Sequence, residues 1–129
     1  MKKIISLGIF SLALFLLSNS NSYSQSLYFC EGVDNDGYPI SAASTFNISS
    51  KGSYLYVLAR LPYTAECRSM KLVIYRNGSY DNTIYIDTEY DWTWFWKKVT
   101  FYKAGDYTVS LYDCFGENLA SKSLQINYK

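Results

Sequence analysis

Beyond the first two dozen residues, apolar side chains recur at alternate positions in short runs separated by turn-forming residues. A period of two puts successive side chains on opposite faces of an extended strand, so each run is read as a strand with one buried face. In residues 53–61, Leu55, Val57, Ala59 and Leu61 fall on one face and Tyr54, Tyr56, Leu58 and Arg60 on the other. The charge on the second set marks the first as core. Residues 69–76 present Met70, Leu72 and Ile74 inward, and Asn77-Gly78 then gives the strongest short hairpin signal, because both residues tolerate positive φ. The returning strand covers 80–88. Further strands are predicted over 26–31, 45–48, 94–102, 107–112 and 119–127. In the last, Ala120, Leu124 and Ile126 share a face that Lys122 interrupts. Residues 32–43, rich in Gly, Asp and Asn, read as a long loop. Seven to eight strands with turns at short intervals predict an all-β chain folded as a two-sheet antiparallel β-sandwich.

The chain opens differently. Lys2-Lys3, an apolar run over 4–17 and a small-residue region with Ser22 and Ser24 form the three parts of a secretory signal peptide, cut after Ser24. The apolar run is shorter than the roughly 20 residues a membrane-crossing helix needs, so no stable membrane insertion is expected after cleavage. The mature chain, 25–129, is sized for a single domain, and its address is secreted or periplasmic. Without Lys2 and Lys3, 10 basic residues face 11 acidic ones. That balance excludes the basic footprint of a nucleic-acid binder, so no nucleic acid is expected as partner.

Residues Gly105-Asp106-Tyr107-Thr108-Val109 resemble the start of strand F in immunoglobulin-like and fibronectin-III-like domains, where the tyrosine forms a corner. The resemblance implies an Ig-like sandwich with Gly105 and Tyr107 as structural corner. Val109 stands where the antibody cysteine would be, and no tryptophan lies in 70–74. The likeness is therefore to disulfide-free bacterial Ig-like domains, which usually bind, adhere or space. In that topology the loop holding Cys67 and the turn beginning at Cys114 lie at one end. The resemblance thus implies a Cys67–Cys114 disulfide, with Cys30–Cys114 as the rival pairing. Three cysteines leave one over. Cys30 reads as a buried free thiol, with intermolecular pairing as its alternative.

The chain has no histidine, which removes Ser-His-Asp and Cys-His nucleophilic systems and His-based metal sites. No Cys-x-x-Cys and no Gly-rich phosphate loop occurs, and no cofactor is expected. Asp34-Asn35-Asp36-Gly37 shares part of a calcium-loop pattern, but Gly32 stands at its first position and an Asx-rich turn is the better reading. Asp87, Glu89 and Asp91 alternate; on an extended segment they would line one face, as a calcium site or a carboxylate pair for hydrolysis. The chain's size argues against a catalytic cleft, and the protein is read as not an enzyme.

The densest aromatic run is Trp92-Thr93-Trp94-Phe95-Trp96. If one strand spans it, Phe95, Val99 and Phe101 go to the core. Trp92, Trp94 and Trp96 then point outward beside Tyr54 and Tyr56, an aromatic surface on which a ligand could stack. The competing reading is a bulge that flips the parity, or the 32–43 loop folding over the indoles. The function expected from these features is a secreted non-enzymatic binding module recognising a glycan or surface protein through that face. The alternative is an accessory subunit packed on a larger secreted partner, with a carboxylate-dependent hydrolase behind both.

Overall fold

A computed structural model describes residues 26–129. The expected signal peptide, 1–24, lies outside the described residues. The chain forms strands β1 (Ser26–Cys30), β2 (Gly32–Val33), β3 (Pro39–Ile40), β4 (Thr45–Ile48), β5 (Ser53–Arg60), β6 (Ser69–Arg76), β7 (Ser79–Asp87), β8 (Trp94–Phe101), β9 (Gly105–Tyr112) and β10 (Asn118–Tyr128). A three-stranded sheet, β1-β5-β8, packs on a five-stranded sheet, β4-β10-β9-β6-β7, and β2-β3 is a separate hairpin. The eight sandwich strands match the reading of the sequence. The β2–β3 hairpin within 32–43 corrects it: two residues per strand are too few to show any alternation. Pairing is antiparallel except between β4 and β10, which run parallel.

The inward sets meet as expected. Leu55, Val57 and Ala59 of β5 and Phe95, Val99 and Phe101 of β8 share one buried cluster with Met70, Leu72 and Ile74 of β6, Val109 and Leu111 of β9, and Leu124 and Ile126 of β10. Each of the Val, Leu, Ile, Met and Phe side chains contributes about 1.5–3 kcal/mol when fully removed from water. At the Asn77-Gly78 turn both φ angles are positive, 51° and 85°, as a two-residue hairpin requires. Tyr107 is buried against Phe101, ring centroids 5.0 Å apart and edge to face, and its hydroxyl donates to the Lys103 carbonyl at 2.7 Å. That bond ties the start of β9 to the turn before it. A Cβ on Gly105 would lie 2.9 Å from Arg76 Nε, and Arg76 itself donates through Nε and Nη2 to the Ala104 carbonyl.

Lys122 interrupts the inward face of β10, and its ammonium finds a partner in the other sheet. Its Nζ donates to the Leu27 carbonyl of β1 at 3.1 Å, in a part-buried position, and lies over the Tyr28 ring. The aliphatic stem thus covers apolar surface while the ammonium crosses from one sheet to the other.

Candidate functional site

The segment between β7 and β8 is not extended. Trp92 N donates back to the Glu89 carbonyl at 3.2 Å, closing a turn. The three carboxylates therefore do not line one face. Glu89 turns to Arg68, 3.6 Å away, which also lies over the Tyr90 ring. Asp87 and Asp91 instead share a cleft of about 510 Å³ with Trp92, Thr93, Trp94, Phe95 and Trp96. The cleft forms because β7 and β8 belong to different sheets, and the crossing chain must bridge the sandwich's end.

Its floor is held by backbone. Leu61 N donates to Thr93 O, Ala65 N to Trp92 O, Glu66 N to Tyr90 O and Thr88 N to Arg68 O, all between 2.7 and 2.9 Å. Buried Thr88 donates its hydroxyl to the Cys67 carbonyl at 2.6 Å. Cys67 is in turn disulfide-bonded to Cys114, with Cα atoms 5.8 Å apart, so the loop before β6 is fixed to the β9–β10 turn. The rival Cys30–Cys114 pairing is excluded, since Cys30 is a free, buried thiol.

The β5–β8 register runs without a shift from Ser53↔Phe101 to Arg60↔Trp94. No bulge flips the parity, and Trp94 and Trp96 lie on the outer face with Tyr54 and Tyr56. Trp96, Tyr56 and Tyr54 make a row of edge-to-face contacts, with centroid separations of 5.2 and 6.0 Å, and Lys98 Nζ sits 4.0 Å above the Tyr54 ring. Trp92 precedes β8 and belongs to the turn, not to that strand face. The five aromatic residues thus divide into two sets. Tyr54 and Tyr56 line the row, Trp92 and Trp94 line the cleft, and Trp96 belongs to both.

Trp94 is only half exposed because the β2–β3 hairpin folds onto it. A Cβ on Gly37 would stand 2.3 Å from the indole ring, so only glycine fits there, and its φ of 81° also favours glycine. The hairpin also accounts for a departure from the alternation pattern. Leu58 and Cys30 lie on the outward parity yet are fully buried, because β2 packs on β5 and β3 on β1. The Cys30 thiol donates to the Tyr56 carbonyl at 3.5 Å, and burial pushes its pKa up.

Asp34 opens the loop of this hairpin. Its carboxylate accepts from the Asp36 and Tyr38 amides, both at 2.9 Å, which makes the calcium-like stretch an Asx turn. Asp113 is built the same way, accepting from the Phe115 and Glu117 amides at 2.9 Å. The shared spacing, Asp-x-x-Gly-x at Asp34 and Asp113, is the sequence signal that marks 32–43 as a hairpin. Among the described residues no group of three or more Cys, Asp or Glu side chains is placed to hold a metal ion.

No family model matches the chain. No curated protein matches it. Solved structures that resemble it include two of superoxide reductase (neelaredoxin) from Ignicoccus hospitalis. One is 13% identical over 69% of this chain and 77% of its own length, at a TM-score of 0.42. The other is 12% identical over 80% and 83%, at the same TM-score. Both carry the name of an enzyme. The expectation of a non-enzymatic glycan- or surface-protein-binding module, with an accessory subunit as its alternative, is withdrawn on that finding. A likeness this distant gives the chain neither that activity nor any residue's role. Among the described residues no helix is long and apolar enough to cross a membrane.

Proposed function

We propose that the chain is an exported domain, secreted or periplasmic, whose cleft between β7 and β8 takes a small organic cation, an ammonium carrying methyl or alkyl groups. The observation behind this reading is the cleft's lining: Asp87 and Asp91 beside the indoles of Trp92, Trp94 and Trp96, with no basic residue among them. Indole faces attract a cation through their quadrupole, and the larger alkylammonium ions shed water cheaply enough to use it. The carboxylates supply the charge preference. The arginines of this end are directed elsewhere: Arg60 to the β2–β3 hairpin and Arg68 to Glu89 and Tyr90. The volume suits a small molecule, and the disulfide together with the backbone bonds beneath the cleft preforms the site. An address outside the cytoplasm fits the disulfide.

Each cation–π contact contributes about 0.5–2 kcal/mol, and an open carboxylate about 1 kcal/mol or less. After the cost of association a dissociation constant of about 1 mM is expected, equivalent to about −4 kcal/mol. The test is tryptophan fluorescence during titration with choline and with 3,3-dimethyl-1-butanol, its uncharged carbon counterpart. Choline is expected to bind several-fold more tightly, and more weakly as salt is raised. Equal binding of the two, or none by choline, would refute the reading. NMR of the mixture follows the cation's fate. Choline recovered unchanged means recognition alone, and a new product would make Asp87 and Asp91 the first acid–base groups to replace.

A further inference from the structure

The β2–β3 hairpin is attached to the rest of the sandwich in an uneven way. Its own strands are two residues each, and Glu31 N to Ile40 O and Ala43 N to Phe29 O hold its base. At its tip Gly37 rests on the Trp94 indole as bare backbone. What reaches up to that tip is Arg60, the residue directly across the β5–β8 ladder from Trp94. Arg60 Nη1 donates to the carbonyls of Gly37 and, at 3.4 Å, Asp36, and its guanidinium lies 4.1 Å from the centre of the Tyr38 ring. One side chain therefore grips three consecutive tip residues and stands beside the indole they cover.

We infer that Arg60 is a positioning residue for the cleft: it clamps the β2–β3 hairpin onto Trp94 and so fixes the indole that forms the cleft's inner wall. This rests on the cation-binding reading for its functional meaning, but the clamp itself is a property of the fold. A hairpin held by so few bonds opens locally, without unfolding the sandwich. Opening uncovers two groups at opposite ends of the same unit, the Trp94 indole under the tip and the Cys30 thiol under the base. Cys30 is not itself assigned a role. It reports on the hairpin, as a fully buried thiol beneath it.

The experiment compares the wild type with Arg60→Ala and Arg60→Lys on the disulfide-intact chain. Three quantities are read: the rate at which an aromatic disulfide reagent modifies Cys30, the proton shift of the Gly37 α-hydrogens, and the affinity for choline. In the wild type the Gly37 α-hydrogens, lying against the indole face, should resonate well upfield of ordinary glycine. Loss of charge-assisted bonds to two carbonyls should raise Cys30 reactivity about tenfold or more in Arg60→Ala. In the same variant the Gly37 signal should move downfield and choline should bind more weakly, with the urea midpoint of the whole domain changed far less. Arg60→Lys keeps a donor but loses the planar stack on Tyr38, so it should restore part of all three. An unchanged Gly37 signal in Arg60→Ala overturns the inference, as does an unchanged Cys30 rate. Choline affinity that stays constant while the hairpin opens removes the clamp's role in the cleft. If choline fails to bind even the wild type while Cys30 and Gly37 respond together, the cation reading falls and the clamp on Trp94 stands.

Discussion

Removing the Cys67–Cys114 bond, by Cys67→Ala with Cys114→Ala, opens a cross-link one end of which, Cys67, also belongs to the buried cluster. The two residues are 47 apart in sequence. In the chain-entropy model a loop of that length, left open, returns about 14 cal/mol/K to the unfolded chain, or about 4 kcal/mol at 25 °C. A domain of this size holds only about 5–15 kcal/mol in total. The native state also loses the bond from Cys114 N to the Cys67 sulfur, 3.2 Å long. With a urea m-value of about 1.5 kcal/mol/M, the midpoint should fall by about 2–3 M. Tryptophan fluorescence follows the transition, and reductant added to the unaltered chain should bring its midpoint to that of the variant. A fall below about 0.5 M would refute the reasoning. It would mean that the backbone ladder between the 61–68 loop and the 88–93 turn restrains the unfolded chain or carries the native geometry without the cross-link.

Other outcomes follow from single groups. Tyr107→Phe removes the hydroxyl bond to Lys103 but keeps the ring on Phe101, so it should cost about 1–2 kcal/mol in urea unfolding. Burial raises the pKa of Cys30 from 9.0 and of Tyr107 from 10.0, so the folded chain holds these protons after the unfolded chain begins to release them. That contribution is complete below pH 9 and is lost as pH rises through the folded values. Stability should therefore begin to fall from about pH 9, and Cys30→Ala should delay the onset towards pH 10; an unchanged onset would contradict this. Asp113→Ala and Asp34→Ala each free two amides of matching hairpins. Asp34→Ala should raise Cys30 reactivity and Asp113→Ala should not, because only the first hairpin covers the thiol.

The eight sandwich strands were legible because each buries one face, and burial of one face is what imposes a period of two. The inward residues Leu55, Val57, Ala59 and Leu61, then Met70, Leu72 and Ile74, then Phe95, Val99 and Phe101 follow it. The pattern failed where a third layer covers the outer face. Leu58 and Cys30 are buried on the wrong parity because the β2–β3 hairpin lies over them, and nothing in a single strand's alternation reports a neighbour added from outside. The hairpin itself was marked only by turn chemistry, the Asp-x-x-Gly-x spacing that recurs at Asp113. At the site, the aromatic run was visible but its division was not. Trp92, Trp94 and Trp96 alternate in sequence as if on one strand, and the turn at Glu89–Trp92 breaks that alternation before β8 begins. The same turn separates Glu89 from Asp87 and Asp91, which the spacing alone had grouped.

The cleft's proposed occupant is tested most directly by locating a bound cation at atomic level. With the chain isotope-labelled and tetramethylammonium added, through-space contacts from the methyl protons identify the side chains they touch. Contacts to the Trp92 and Trp94 rings, weakened in Asp87→Asn and Asp91→Asn, are the expected result. Contacts confined to Tyr54 and Tyr56 on the outer row, or no contacts at saturating cation, would contradict it.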